Sequence, residues 1–99
     1  MRWRFHPEAA EEYLASWRHY AMIGETLGDA FSRSVEAAIN QIVAHPTAWR
    51  EIKEDVRRHL LARFPFGIYY TIEADYILII AVMHMQRRPG YWRDRHVSH

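Results

Sequence analysis

The chain has 99 residues, of which 49% are hydrophobic and 25% charged, and a formal net charge of +1. That length suits one core and a single domain over residues 1–99. The composition excludes a disordered or fibrous protein, and the near-neutral charge removes any overall electrostatic case for nucleic acid. Without cysteine there is no disulfide framework, thiolate metal site or cysteine nucleophile, which points to a reducing cytoplasm.

The basic start, Met1 to Pro7, is followed by no apolar segment of signal-peptide length, so secretion is not expected. The longest apolar run, Tyr76 to Met83, falls far short of the ~20 residues a membrane helix needs, so no membrane association is expected. Arg2 to Phe5 reads as an N-terminal strand. Pro7 then stands where a first helical residue belongs, with Glu8, Glu11 and Glu12 at the positive end of the helix dipole. Ala10, Leu14, Trp17 and Ala21, flanked by Tyr13 and Tyr20, form an apolar stripe and carry the helix to about Met22. Gly24 interrupts, and Thr26-Leu27-Gly28-Asp29 looks like a capped start for a second helix. Its stripe is Leu27, Phe31, Val35, Ala38, Ile39 and Ile42, and Pro46 ends it.

After Pro46 the period becomes that of strands: Val56 to Phe64, Ile68 to Glu73 and Tyr76 to Met85, with a short edge strand or irregular connection over Trp49 to Lys53. The run from Ile77 to Val82 has no polar side, so both of its faces must be covered. The expected fold is α+β: an N-terminal strand, a helical hairpin, then an antiparallel meander forming one sheet with the helices packed against it. Acidic residues such as Glu25, Asp29 and Glu36 fall in the first half, while Arg57, Arg58, Arg63, Arg87, Arg88, Arg93 and Arg95 gather in the second. The asymmetry points to a basic face on the C-terminal half.

In that order of elements the chain resembles the RelE/ParE superfamily of type II toxin-antitoxin toxins, which includes plasmid stabilisation proteins. The likeness is carried by Phe5-His6-Pro7-Glu8-Ala9, Leu27-Gly28-Asp29-Ala30-Phe31, Val56-Arg57-Arg58-His59-Leu60-Leu61, Arg63 to Tyr70, and His84 to Trp92. It implies a growth-arresting toxin held in a hetero-oligomer with a cognate antitoxin. Members similar to RelE cut messenger RNA on the ribosome, and those similar to ParE poison DNA gyrase without a known covalent step. One fold hosts both, so the site must decide.

Cleavage of RNA through its own 2′-hydroxyl needs a base, an acid and cations around the phosphate. The candidate set is His84 as acid or base, Arg63 and Arg87 as charge stabilisers, and Tyr91 stacking a base or sharing proton transfer. Arg58, Arg88 and Trp92 would add RNA or partner contacts. The plainer readings stand beside these: a structural histidine, arginines that hold an acidic antitoxin, and Tyr91 with Trp92 as a hydrophobic clasp on the sheet. Ribosome-dependent members carry several cations on the sheet, whereas this chain has one lysine, Lys53, which favours gyrase inhibition. A third alternative is a non-toxic module that only binds an antitoxin. No paired histidine ligands, glycine-rich phosphate loop or nucleophilic serine elbow is present, so neither a metal nor a cofactor is expected.

Overall fold

The computed structural model of the protein describes residues 1–86, 90–92 and 95. The elements run β1 (Arg2–Phe5), α1 (Pro7–Ile23), α2 (Glu25–Ala44), β2 (Glu51–Lys53), β3 (Val56–Leu60), β4 (Phe66–Ile72) and β5 (Tyr76–His84). The five strands form one sheet in the order β1-β5-β4-β3-β2. β2 to β5 make an antiparallel meander, and β1 joins it parallel to β5. The expected α+β layout is therefore present, with β5 an interior strand.

His6 caps α1, its Nδ1 accepting the Glu8 amide at 3.1 Å, and Pro7 opens the helix. The buried side of α1 is not the stripe read from the sequence. Ala9 is fully buried, with Tyr13 and Tyr20 packed against the core, whereas Leu14 and Trp17 are exposed. Ring contacts of Tyr13 with Phe5 and of Tyr20 with Phe31 and Phe64 set the rotation of the helix. The start of α2 also differs: it begins at Glu25 behind Gly24, with no side-chain cap. Gly28 serves packing instead, since a Cβ there would lie 2.9 Å from both Cα and Cβ of Ala21 on α1. The remaining stripe of α2, Phe31, Val35, Ala38, Ile39 and Ile42, is buried as its spacing requires.

Two apolar layers cover the sheet. The helix-side layer contains Phe31, Phe64, Phe66, Ile68, Tyr70, Ile77 and Ile79, and the opposite layer contains Val56, Tyr69, Leu78, Ile80, Met83 and Trp92. In the β4–β5 pairing Tyr69 faces Ala81 but Tyr70 faces Ile79, so Ile80 is the extra residue of a bulge. The bulge resets the alternation along β5. Ile77 and Ile79 point to the helices, Ile80 and Ala81 both point away, and Val82 points to the helices again. His84, two residues beyond Val82, consequently faces α1.

Candidate functional site

β1 ends at Phe5, opposite Ile79, while β5 continues to His84. The last backbone bond along this edge comes from the His6 amide to the Ile79 carbonyl, at 2.8 Å. Beyond it side chains replace the missing strand. The Glu12 carboxylate accepts the Val82 amide at 3.0 Å, and the Arg95 guanidinium donates to the Ile80 carbonyl at 3.1 Å. These two groups pair with each other at 3.0 Å, and Arg95 also reaches Glu8 at 3.3 Å. The Arg95 guanidinium lies 4.9 Å from the centre of the Tyr91 ring. Burial pulls the Arg95 pKa down, but its hydrogen bond to Glu12 and the charges of Glu12 and Glu8 outweigh this, and the net shift is upward. The pair seals the exposed edge of β5.

Next to this seal a cavity of about 580 Å³ opens between α1 and the end of β5, bordered among others by Glu8, Glu11, Glu12, His19, His84 and Arg95. His84 is half-buried, its ring packed edge-on against Phe66 at 5.0 Å. Its Nδ1 accepts the Gln86 amide at 3.1 Å, which leaves the proton of the neutral ring on Nε2. In this pose Nδ1 is already engaged by the chain's own backbone. The described wall carries three carboxylates against one guanidinium, a balance that repels phosphate.

Of the other described residues singled out from the sequence, Tyr91 lies beside Arg95, whereas Arg58, Arg63 and Trp92 do not border this cavity. Arg63 is exposed in the β3–β4 turn, because β3 stops at Leu60 instead of continuing to Phe64, and it borders a different cavity beside α2. Arg58 pairs in register with Tyr69 and so lies on the face opposite His84. Trp92 is buried in that same opposite layer, 5.3 Å from the Tyr69 ring, and Tyr91 packs against the layer, so together they form the clasp. Arg87 and Arg88 lie outside the described residues, as does Arg93. The basic face is also broken up: Arg57 bonds the Trp49 carbonyl at 2.6 Å and Arg95 is buried among carboxylates. The convergence of His84 with Arg58 and Arg63 expected from the sequence is therefore absent: Arg58 lies across the sheet from His84, and Arg63 borders a cavity other than the one at His84. A bulge and a shortened strand are the cause.

Glu12 and Arg95, which hold the site together, were missed as a pair. The available signal was helical spacing, since Glu12 lies three residues after buried Ala9 and one turn before Ser16 and so shares the inner face of α1.

The whole arrangement, from Trp3 in β1 through the sheet, coincides with the extent of one sequence family: the model of the ParE toxin of type II toxin-antitoxin system, parDE, matches residues 3–89. The chain belongs to the ParE toxin family. Among solved structures it is similar to a chain of the chromosomal ParDE toxin-antitoxin system from P. aeruginosa, with a TM-score of 0.64 and 22% identity over 85% of this chain and 95% of that one. At that identity the likeness concerns the fold. No curated protein matches the chain. Among the described residues of this ParE-family toxin no group of three or more potential ligands could hold a metal ion, and no helix is long and apolar enough to cross a membrane.

Proposed function

We propose that this protein acts in the cytoplasm as a growth-arresting toxin that inhibits DNA gyrase without catalysing a covalent step, and that a cognate antitoxin holds it inactive in a hetero-oligomer. The observation that carries the choice of target is the carboxylate-lined wall around His84. A ribonuclease must stabilise a phosphate that gains charge in the transition state, and the three glutamates that line the cavity with His84 outnumber its one described guanidinium and act against that. The lone lysine of the chain and the dispersal of Arg58 and Arg63 point the same way. Membership of the ParE family and the ParDE neighbour support the toxin-antitoxin assignment.

Purified toxin added to gyrase and relaxed plasmid should block supercoiling and accumulate cleaved DNA, and antitoxin should relieve both effects. The rival is ribosome-dependent cleavage of messenger RNA with His84 as acid or base. New transcript ends inside reading frames on expression, abolished by His84→Ala, would establish it and refute the gyrase reading. Growth unaffected by expression would leave only the antitoxin-binding module.

A further inference from the structure

We propose that Arg33 and Arg63 form a carboxylate-binding groove that holds an acidic, extended segment of a partner protein. Arg33 on α2 and Arg63 in the β3–β4 turn border a groove of about 510 Å³ together with Thr26, Asp29, Ser34 and Ala62. Neither guanidinium forms an ion pair among the described residues, although Asp29 stands one helical turn before Arg33. Two unpaired arginines on separate elements, turned into one groove, leave their donor forks available for planar oxyanions.

Both cations are carried by anchored backbone. Leu61 and Phe64 are buried on either side of Ala62 and Arg63. The Leu61 amide donates to the Phe66 carbonyl at 2.9 Å and the Phe66 amide to the Phe64 carbonyl at 2.7 Å. The turn is therefore fixed by its flanks, and Ala62 and Arg63 face outward. Arg33 projects from the side of α2 opposite buried Phe31 and Val35. The groove shares no lining residue with the cavity at His84, so it is a second site and does not depend on the target of the toxin.

Charge selects the occupant. A nucleic-acid backbone carries one negative charge per step and binds through many cations at once. This groove offers two arginines and one aspartate, on a chain whose formal net charge is only +1. One or two side-chain carboxylates of a peptide match the two guanidiniums, the Thr26 and Ser34 hydroxyls can donate to the same oxygens, and Asp29 can accept a backbone amide of the bound segment.

The test is an NMR titration of the full chain that follows the arginine Nε–H resonances. The probes are a short capped Glu-Ala peptide, its Gln-Ala counterpart and a single-stranded oligonucleotide of matched charge. The Glu-Ala peptide should shift the Arg33 and Arg63 resonances. The double variant Arg33→Gln, Arg63→Gln should bind it about tenfold more weakly, the loss expected for two exposed charge-assisted contacts. Lysine at both positions should restore part of the affinity, because it keeps charge and loses the fork. An unchanged thermal midpoint in each variant would confirm that the fold is intact. Absence of Glu-Ala binding, equal binding by the double variant, or tighter oligonucleotide binding that the variant loses would each overturn the proposal.

Discussion

Substitution of Glu12 by alanine tests the seal on β5 most directly. The side chains of Glu12 and Arg95 are only 11% and 9% exposed, so the change takes from a buried guanidinium its shorter and better-buried ion pair and keeps the one to Glu8, at 3.3 Å from a side chain that is 59% exposed. Removing one partner of a buried pair costs about 3–5 kcal/mol, and the surviving contact to Glu8 places this case near about 3. The Val82 amide also loses its acceptor, which adds about 1 kcal/mol. A total of about 4 kcal/mol is a large share of the roughly 5–15 kcal/mol that stabilises a small domain. It corresponds to a fall of roughly 15–30 °C in the thermal midpoint. Glu12→Gln keeps an acceptor for Val82 and should lose about half as much. Glu11→Ala, exposed on the next position of α1, should stay within about 0.5 kcal/mol of wild type. Urea unfolding of these variants, with Arg95→Ala and the double substitution, completes a thermodynamic cycle. A Glu12→Ala loss below about 1 kcal/mol, or single losses that simply add, would refute the idea that the pair replaces a strand.

Other outcomes follow from the packing. Gly28→Ala should destabilise by about 1–3 kcal/mol, because its methyl meets the Ala21 backbone at 2.9 Å; Gly24→Ala, with open space around it, is the control in the same urea melts. Glu54 and Asp55 both have positive φ, 47° and 70°, in the two-residue turn between β2 and β3. Asn-Gly at these positions should raise stability by about 1 kcal/mol, read as an upward shift of the urea midpoint. Burial raises the Tyr70 phenol above its ordinary 10.0, with Arg57 pulling less strongly the other way. The folded state therefore keeps this proton longer than the unfolded chain. Its stabilisation is complete below pH 10.0 and is lost as pH rises through the folded value, so Tyr70→Phe should flatten the alkaline fall in stability measured by urea melts across that range.

Residue pattern alone was enough for most of the architecture. The spacing of Phe31, Val35, Ile39 and Ile42 dictated the inner face of α2, the proline at position 7 marked the start of α1, and Pro65 and the break at Ala74-Asp75 divided the meander, although β4 begins at Phe66 and takes in Gly67 instead of starting at Ile68. These features are local, because a helix or strand repeats its environment every few residues and the chain records that period. The orientation of α1 was ambiguous, since both Leu14 with Trp17 and Tyr13 with Tyr20 make acceptable stripes and only contact with Phe5, Phe31 and Phe64 selects the tyrosines.

The site itself was decided in three dimensions. Between Tyr76 and Met83 every residue is apolar, so no alternation shows where the strand slips, and without the bulge at Ile80 the imidazole of His84 would face away from the helices. The partnership of Glu12 with Arg95 spans most of the chain and satisfies backbone groups left open where β1 ends too soon. Neither a phase change inside a uniform run nor a long-range pairing leaves a periodic trace in the order of residues. Both exist only once the strands are laid side by side.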